Sequence, residues 1–155
     1  MTFRVQKVLV LRIIRELIEF KPKSRKTDVA QALKFLSSTQ KKKAIVFLIS
    51  DFMSDDYEQT LKIASKKHDI TGIRVYDIRE EKMPDIGMVT MEDAESGQIQ
   101  LVNTGSKSVR LGYEKHYQEK IKYFKETFSK CGSGVVNTRV DESYVTKLLG
   151  YFKSR

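Results

Sequence analysis

Six apolar residues in succession, Ala44-Ile45-Val46-Phe47-Leu48-Ile49, run directly into Ser50 and Asp51, and no other stretch of the chain limits its fold so tightly. The run is introduced by Lys41-Lys42-Lys43 and closed by Ser-Asp, which predicts a strand covered on both faces, as in a parallel sheet flanked by helices. Ligands of open α/β sheets sit in the crevice beyond the carboxyl ends of such strands, so Asp51 is a candidate site residue. The plainer reading is that Asp51 caps the following turn.

With 155 residues, 40% of them hydrophobic and 32% charged, the chain has the size and composition of one globular domain. No apolar run approaches the ~20 residues that cross a bilayer, and the first residues lack the order of a signal peptide, so a cytoplasmic protein is expected. Cys131 is the single cysteine, which excludes an internal disulfide, and the two histidines, His68 and His116, are far apart in sequence. The formal net charge of +9 raises the question of nucleic acid. Its lysines fall in short clusters, Lys41 to Lys43, Lys66/Lys67 and Lys120/Lys122/Lys125 among them, mostly beside acidic neighbours. Such clusters read first as solvated faces and second as a phosphate-binding surface.

Val10, Ile13, Ile14, Leu17 and Ile18 recur at helical spacing, with Arg12/Glu16 and Arg15/Glu19 as i,i+4 pairs, so a helix is predicted from about Val8 to Phe20. Phe3 and Val5 alternate as in a small strand, and Pro22 stops the helix before a basic loop, Lys21 to Lys26. Thr27 or Asp28 caps a second helix bearing Val29, Ala32, Leu33 and Leu36. After Asp51, Ser54 is the expected cap of a helix that leads to a strand over Asp69 to Asp77. Asp77 then ends a strand as Asp51 does, and parallel neighbours would aim both carboxylates into one crevice.

Val89/Met91 and Ile99/Leu101 alternate on either side of Gly97, which predicts a β-hairpin over residues 88–102 inserted between helical units. Ser106 opens the longest helix, to about Cys131, with Tyr117, Ile121, Phe124 and Phe128 on its core face. A short strand over Val135 to Val140 and a final helix capped by Asp141 complete the chain. Three principal strands make a narrow sheet, and Ile45 to Ile49 are too apolar for an open edge. Something should lie beside them, and a homo-oligomer through that strand edge is expected.

Several ordered motifs carry a resemblance: Leu11 to Leu17, Lys26-Thr27-Asp28-Val29, Val46 to Phe52, Arg74-Val75-Tyr76-Asp77, Met91 to Gly97 and Asp141 to Val145. They resemble the C-terminal two thirds of a von Willebrand factor A-like domain, and more closely an uncharacterised bacterial family of such domains often encoded beside MoxR-type AAA+ ATPases. The resemblance implies an α/β fold: a partial doubly wound, Rossmann-like sheet with an inserted hairpin, whose first three strands are missing from a single truncated domain over residues 1–155. It also implies a metal-ion-dependent adhesion site in which Thr27 takes the threonine position and Asp51 the later aspartate. The primary Asp-x-Ser-x-Ser motif has no counterpart here, so Mg²⁺ or a similar divalent cation is expected in a complete protein and no cofactor with this chain alone.

The resemblance points to a protein-interaction module without catalysis, whose partners include a MoxR-type ATPase system. The enzyme alternative is a metal-dependent nuclease or phosphoesterase in which Asp51, Asp77 and Asp28 hold Mg²⁺ against a phosphate. A plain nucleic-acid binder using the lysine clusters ranks third, on charge alone.

Overall fold

The computed structural model describes residues 2–21, 27–93 and 96–154, with side chains from Val8 onward. The first helix, α1 (Thr2–Glu19), takes in the residues expected as a small strand, because the helical pattern runs back to Thr2 without a breaker and, among the described residues, no partner strand lies beside it. Its i,i+4 pairs form as the spacing implies, Arg12 to Glu16 at 3.0 Å and Arg15 to Glu19 at 3.8 Å. The stop at Pro22 and the basic loop to Lys26 lie outside the described residues. In α2 (Val29–Thr39) the cap is Asp28, whose Oδ1 accepts from Gln31 N at 2.7 Å and so satisfies one of the donors a helix start leaves open.

The sheet consists of three parallel strands in the order β1 (Ile45–Ser50), β2 (Asp69–Tyr76) and β5 (Gly134–Arg139). Between β1 and β2 the chain passes through α3 (Glu58–Ser65), and register pairs Ser50 with Arg74 and Arg74 with Asn137. Because side chains alternate along a strand, Val46 and Leu48 meet the buried cluster of Val29, Leu33, Leu61, Phe124 and Phe128, drawn from α2, α3 and α4 (Lys107–Lys130). Gly72 of β2 is required here: a Cβ would stand 2.6 Å from Phe128 Cε1 and 2.8 Å from Phe124 Cε2. The opposite face carries α5 (Tyr144–Lys153), with Phe152 edge-on to Phe47 at 5.9 Å and Tyr151 hydroxyl 3.0 Å from Thr71 Oγ1.

The hairpin forms as β3 (Met88–Glu92) and β4 (Ile99–Asn103), antiparallel with Val89 opposite Val102. Its turn uses Gly97 at φ 69°, where a residue with Cβ would be strained; residues 94 and 95 lie outside the description. Thr104 ties the hairpin's base down, accepting from Ile86 N at 3.1 Å and donating to Gly87 O at 2.8 Å. Arg110 of α4 reaches both Thr104 O at 2.6 Å and Asp85 at 2.9 Å.

Three further expectations need correction. β1 is not covered on both faces: it is the sheet's edge, and Ile45, Phe47 and Ile49 remain 68%, 46% and 66% exposed because α5 reaches only Phe47. Helix α3 starts at Glu58 and not behind Ser54, since Asp56 at φ 59° interrupts the helical path. Asp141 does not cap the last helix: Ser143 does, its Oγ accepting from Thr146 N at 3.4 Å, while Asp141 is held by Arg139 at 2.9 Å. Among the described residues no helix is long and apolar enough to cross a membrane.

Candidate functional site

The loop that follows β1 meets the start of α2, and Thr27 and Asp28 fall at this junction. Immediately after β1 the chain turns sharply. Asp51 Oδ1 accepts from Met53 N at 3.2 Å and from Ser50 Oγ at 3.3 Å, and Ser50 Oγ in turn accepts from Phe52 N at 3.1 Å. Phe52 sits at φ 57°, a conformation that bulky side chains avoid. Its ring is fully buried and stacked on Phe124, which holds the backbone in place.

A crevice of about 460 Å³ opens beside this turn, lined by Thr27, Asp28, Met53, Ser54, Asp55 and Asp56. Thr27 is thus brought to the loop that follows Asp51, although Asp51 itself is not among the lining residues. Asp28 is occupied as the cap of α2, and Asp55 pairs with Lys120 of α4. Ser54 Oγ is buried and makes no hydrogen bond among the described residues.

Asp77 stands at the same end of the sheet, three residues beyond the Arg74 that pairs with Ser50. Its carboxylate is taken up locally, accepting from Arg79 N at 2.9 Å and from Arg79 Nε at 2.9 Å. Hydrogen bonds from the Arg79 side chain, then from its backbone, hold the Asp77 carboxyl down at about 2. Asp51, Thr27 and Asp77 therefore share one end of the sheet, but Asp77 is engaged in an ion pair of its own.

Mg²⁺ takes about six oxygen ligands. Among the described residues no group of three or more His, Cys, Asp or Glu is arranged to hold a metal. Thr27 and Asp51 supply three side-chain oxygens at most, so these two residues do not fit such a cation by themselves.

Sequence reasoning missed Arg74. It is buried on the central strand, donates through Nη2 to the Tyr117 hydroxyl, and lies 4.0 Å over the Tyr76 ring, a cation–π contact. The signal was available: an arginine between Ile73 and Val75 of a largely apolar strand must find partners.

The profile of the family described as "Protein of unknown function DUF58" matches residues 4–123. An uncharacterised protein of Mycobacterium avium is 26% identical over 129 residues, which cover 83% of this chain and 76% of that protein. Uncharacterised proteins of Mycobacterium bovis and Mycobacterium tuberculosis are 24% identical over 135 residues, 86% of this chain but 42% of their own length. No solved structure matches the chain significantly.

Proposed function

The chain belongs to the DUF58 family of proteins of unknown function, and from that premise we propose that it is a protein–protein interaction module. One observation chiefly supports the reading. Among the described residues the outer edge of β1 pairs with no strand, and Ile45, Phe47 and Ile49 stand exposed beside it, on the face that carries α5. Natural sheets blunt their open edges with charges, proline or bulges, and a flat apolar edge is what a partner strand or helix covers. Helix α1 adds Val8, Leu11, Ile14 and Ile18, exposed along one side.

In this reading the module is von Willebrand A-like, works in the cytoplasm without catalysis, and associates with a second copy through the β1 edge. A MoxR-type AAA+ ATPase system is its proposed partner, on the strength of the sequence resemblance. Thr27 and Asp51 form an incomplete adhesion site. A divalent cation there needs further oxygen ligands besides these two residues.

The hydrolytic alternative has less support. Of its three carboxylates, Asp77 is held by Arg79, Asp28 caps α2, and Asp51 accepts from Met53 N and Ser50 Oγ. The nucleic-acid alternative loses part of its lysine surface, since Lys120 pairs with Asp55 and Lys122 lies 3.8 Å from Glu126.

Binding of the free chain to a second, immobilised copy tests the reading. Ile49→Lys at the open edge should weaken association about tenfold or more, as truncation of a buried contact typically does. Association indifferent to that substitution would remove the β1 edge from the proposal.

A further inference from the structure

Beside α5 the sheet leaves a vacant apolar trough. Its floor is Ile45, Phe47 and Ile49, the residues of β1 that point to the α5 side. Its wall is Val145, Leu149 and Phe152, which recur at i, i+4 and i+7 on one side of α5, the side on which Phe152 meets Phe47 at 5.9 Å. All six are 46–68% exposed, so nothing among the described residues fills the corner between strand and helix.

Helix α1 has the converse deficit. Among the described residues it forms no extensive contact with another element of its own chain, and Val10, Ile13, Ile14, Leu17 and Ile18 remain 46–78% exposed. With Leu9 and Leu11 on the flanks, these residues span about 200° of the helix at ~100° per residue, about twice the stripe of a helix that packs on a single surface. Such an arc fits a corner, where a helix touches a floor and a wall together. Arg12, Arg15, Glu16 and Glu19 occupy the remaining side and are paired with one another. Eighteen residues give α1 a length of about 27 Å, against ~20 Å for the six residues of β1, so one helix covers the trough from end to end.

A second copy of the chain is the occupant the geometry favours. The chain's own α1 does not lie in the trough, and α2, which follows it, packs on the opposite face of the sheet with Val46 and Leu48. Two copies related by a twofold axis can exchange their first helices, and both deficits of both copies then disappear at once. Each copy buries about a dozen large apolar side chains in this way, and at roughly 70 Å² apiece that is about 800 Å², what a stable interface takes from each partner.

We propose that the first helix of one copy seats in the β1–α5 trough of a second copy, and reciprocally. This exchange rests on the reading of β1 as a covered interface and names what covers it. Its test is light scattering over a dilution series together with amide hydrogen exchange, both on the whole chain. Because α1 lies outside the core, substitutions on it spare the fold of its own chain, and glutamine keeps its helix propensity. Ile14→Gln with Leu17→Gln should raise the dissociation constant of the dimer about tenfold or more, whereas Arg12→Gln with Arg15→Gln, on the charged side, should leave it unchanged. Removing the seat should release the helix: in Phe47→Lys with Ile49→Lys the α1 amides should exchange at least about tenfold faster than in the parent chain. A dimer that survives Ile14→Gln with Leu17→Gln, yet dissociates in the β1 variant, would keep the β1 interface and overturn the helix exchange. A monomeric parent with protected α1 amides would seat each helix on its own chain and overturn it as well. A monomeric parent whose α1 amides exchange freely would overturn both readings.

Discussion

Phe52 lies nearly flat on Phe124, ring centroids 4.1 Å apart and planes 20° apart, and this stack fixes the turn that carries Asp51. The link is causal in both directions. Burying the ring is what makes φ 57° tolerable at residue 52, and that dihedral in turn aims Asp51 Oδ1 at Met53 N. Phe52→Ala keeps the unfavourable dihedral and loses the ring. It should destabilise the protein by about 3–5 kcal/mol in urea unfolding, the usual range for truncating a core phenylalanine. A loss under about 1 kcal/mol would mean that the stack does not hold this turn.

Gly72 and Gly112 should respond oppositely to alanine. At Gly72 the new methyl collides with Phe124 and Phe128, both in the core, and overpacking of this kind costs about 1–3 kcal/mol. At Gly112, inside α4, a Cβ meets nothing, and alanine should add about 0.5–1 kcal/mol through helix propensity. Paired unfolding curves check the signs; equal shifts would contradict the packing described for β2 against α4.

Acid should reveal the Asp77–Arg79 pair. The folded carboxyl is held at about 2 against an ordinary 3.8, so as pH falls the unfolded chain takes up this proton first. The pair's contribution is complete above pH 3.8 and disappears as pH drops through about 2. Carbon-detected NMR titration should find the Asp77 midpoint near the lower value, and Asp77→Asn should flatten the stability profile in that window. A midpoint near 3.8 would show the carboxylate to be unpaired in solution.

Much of the architecture could be read from residue order, for identifiable physical reasons. The period of Val10 to Ile18 marks a helix, the unbroken run Ala44 to Ile49 marks a strand, and Gly97 between alternating segments marks a hairpin; each is a local rule locally obeyed. What resisted reading depends on tertiary contacts. No residue type announces a left-handed Phe52, because only the pocket made by Phe124 and Phe128 selects it. Asp141 resembles a cap by position, but Arg139, two residues back on β5, captures it first. Thr27 and Asp51 do reach the same end of the sheet, whereas the engagement of Asp77 by Arg79 depends on backbone geometry that the order of residues leaves open.

The claim that β1 is an edge built to be covered is tested most directly by light scattering on the purified chain. The account predicts a mass of at least twice the 18.0 kDa of one chain, returning to 18.0 kDa when Phe47→Lys and Ile49→Lys are combined. A parent chain that stays monomeric at every concentration, with the β1 amides facing its open edge already protected from hydrogen exchange, would contradict it.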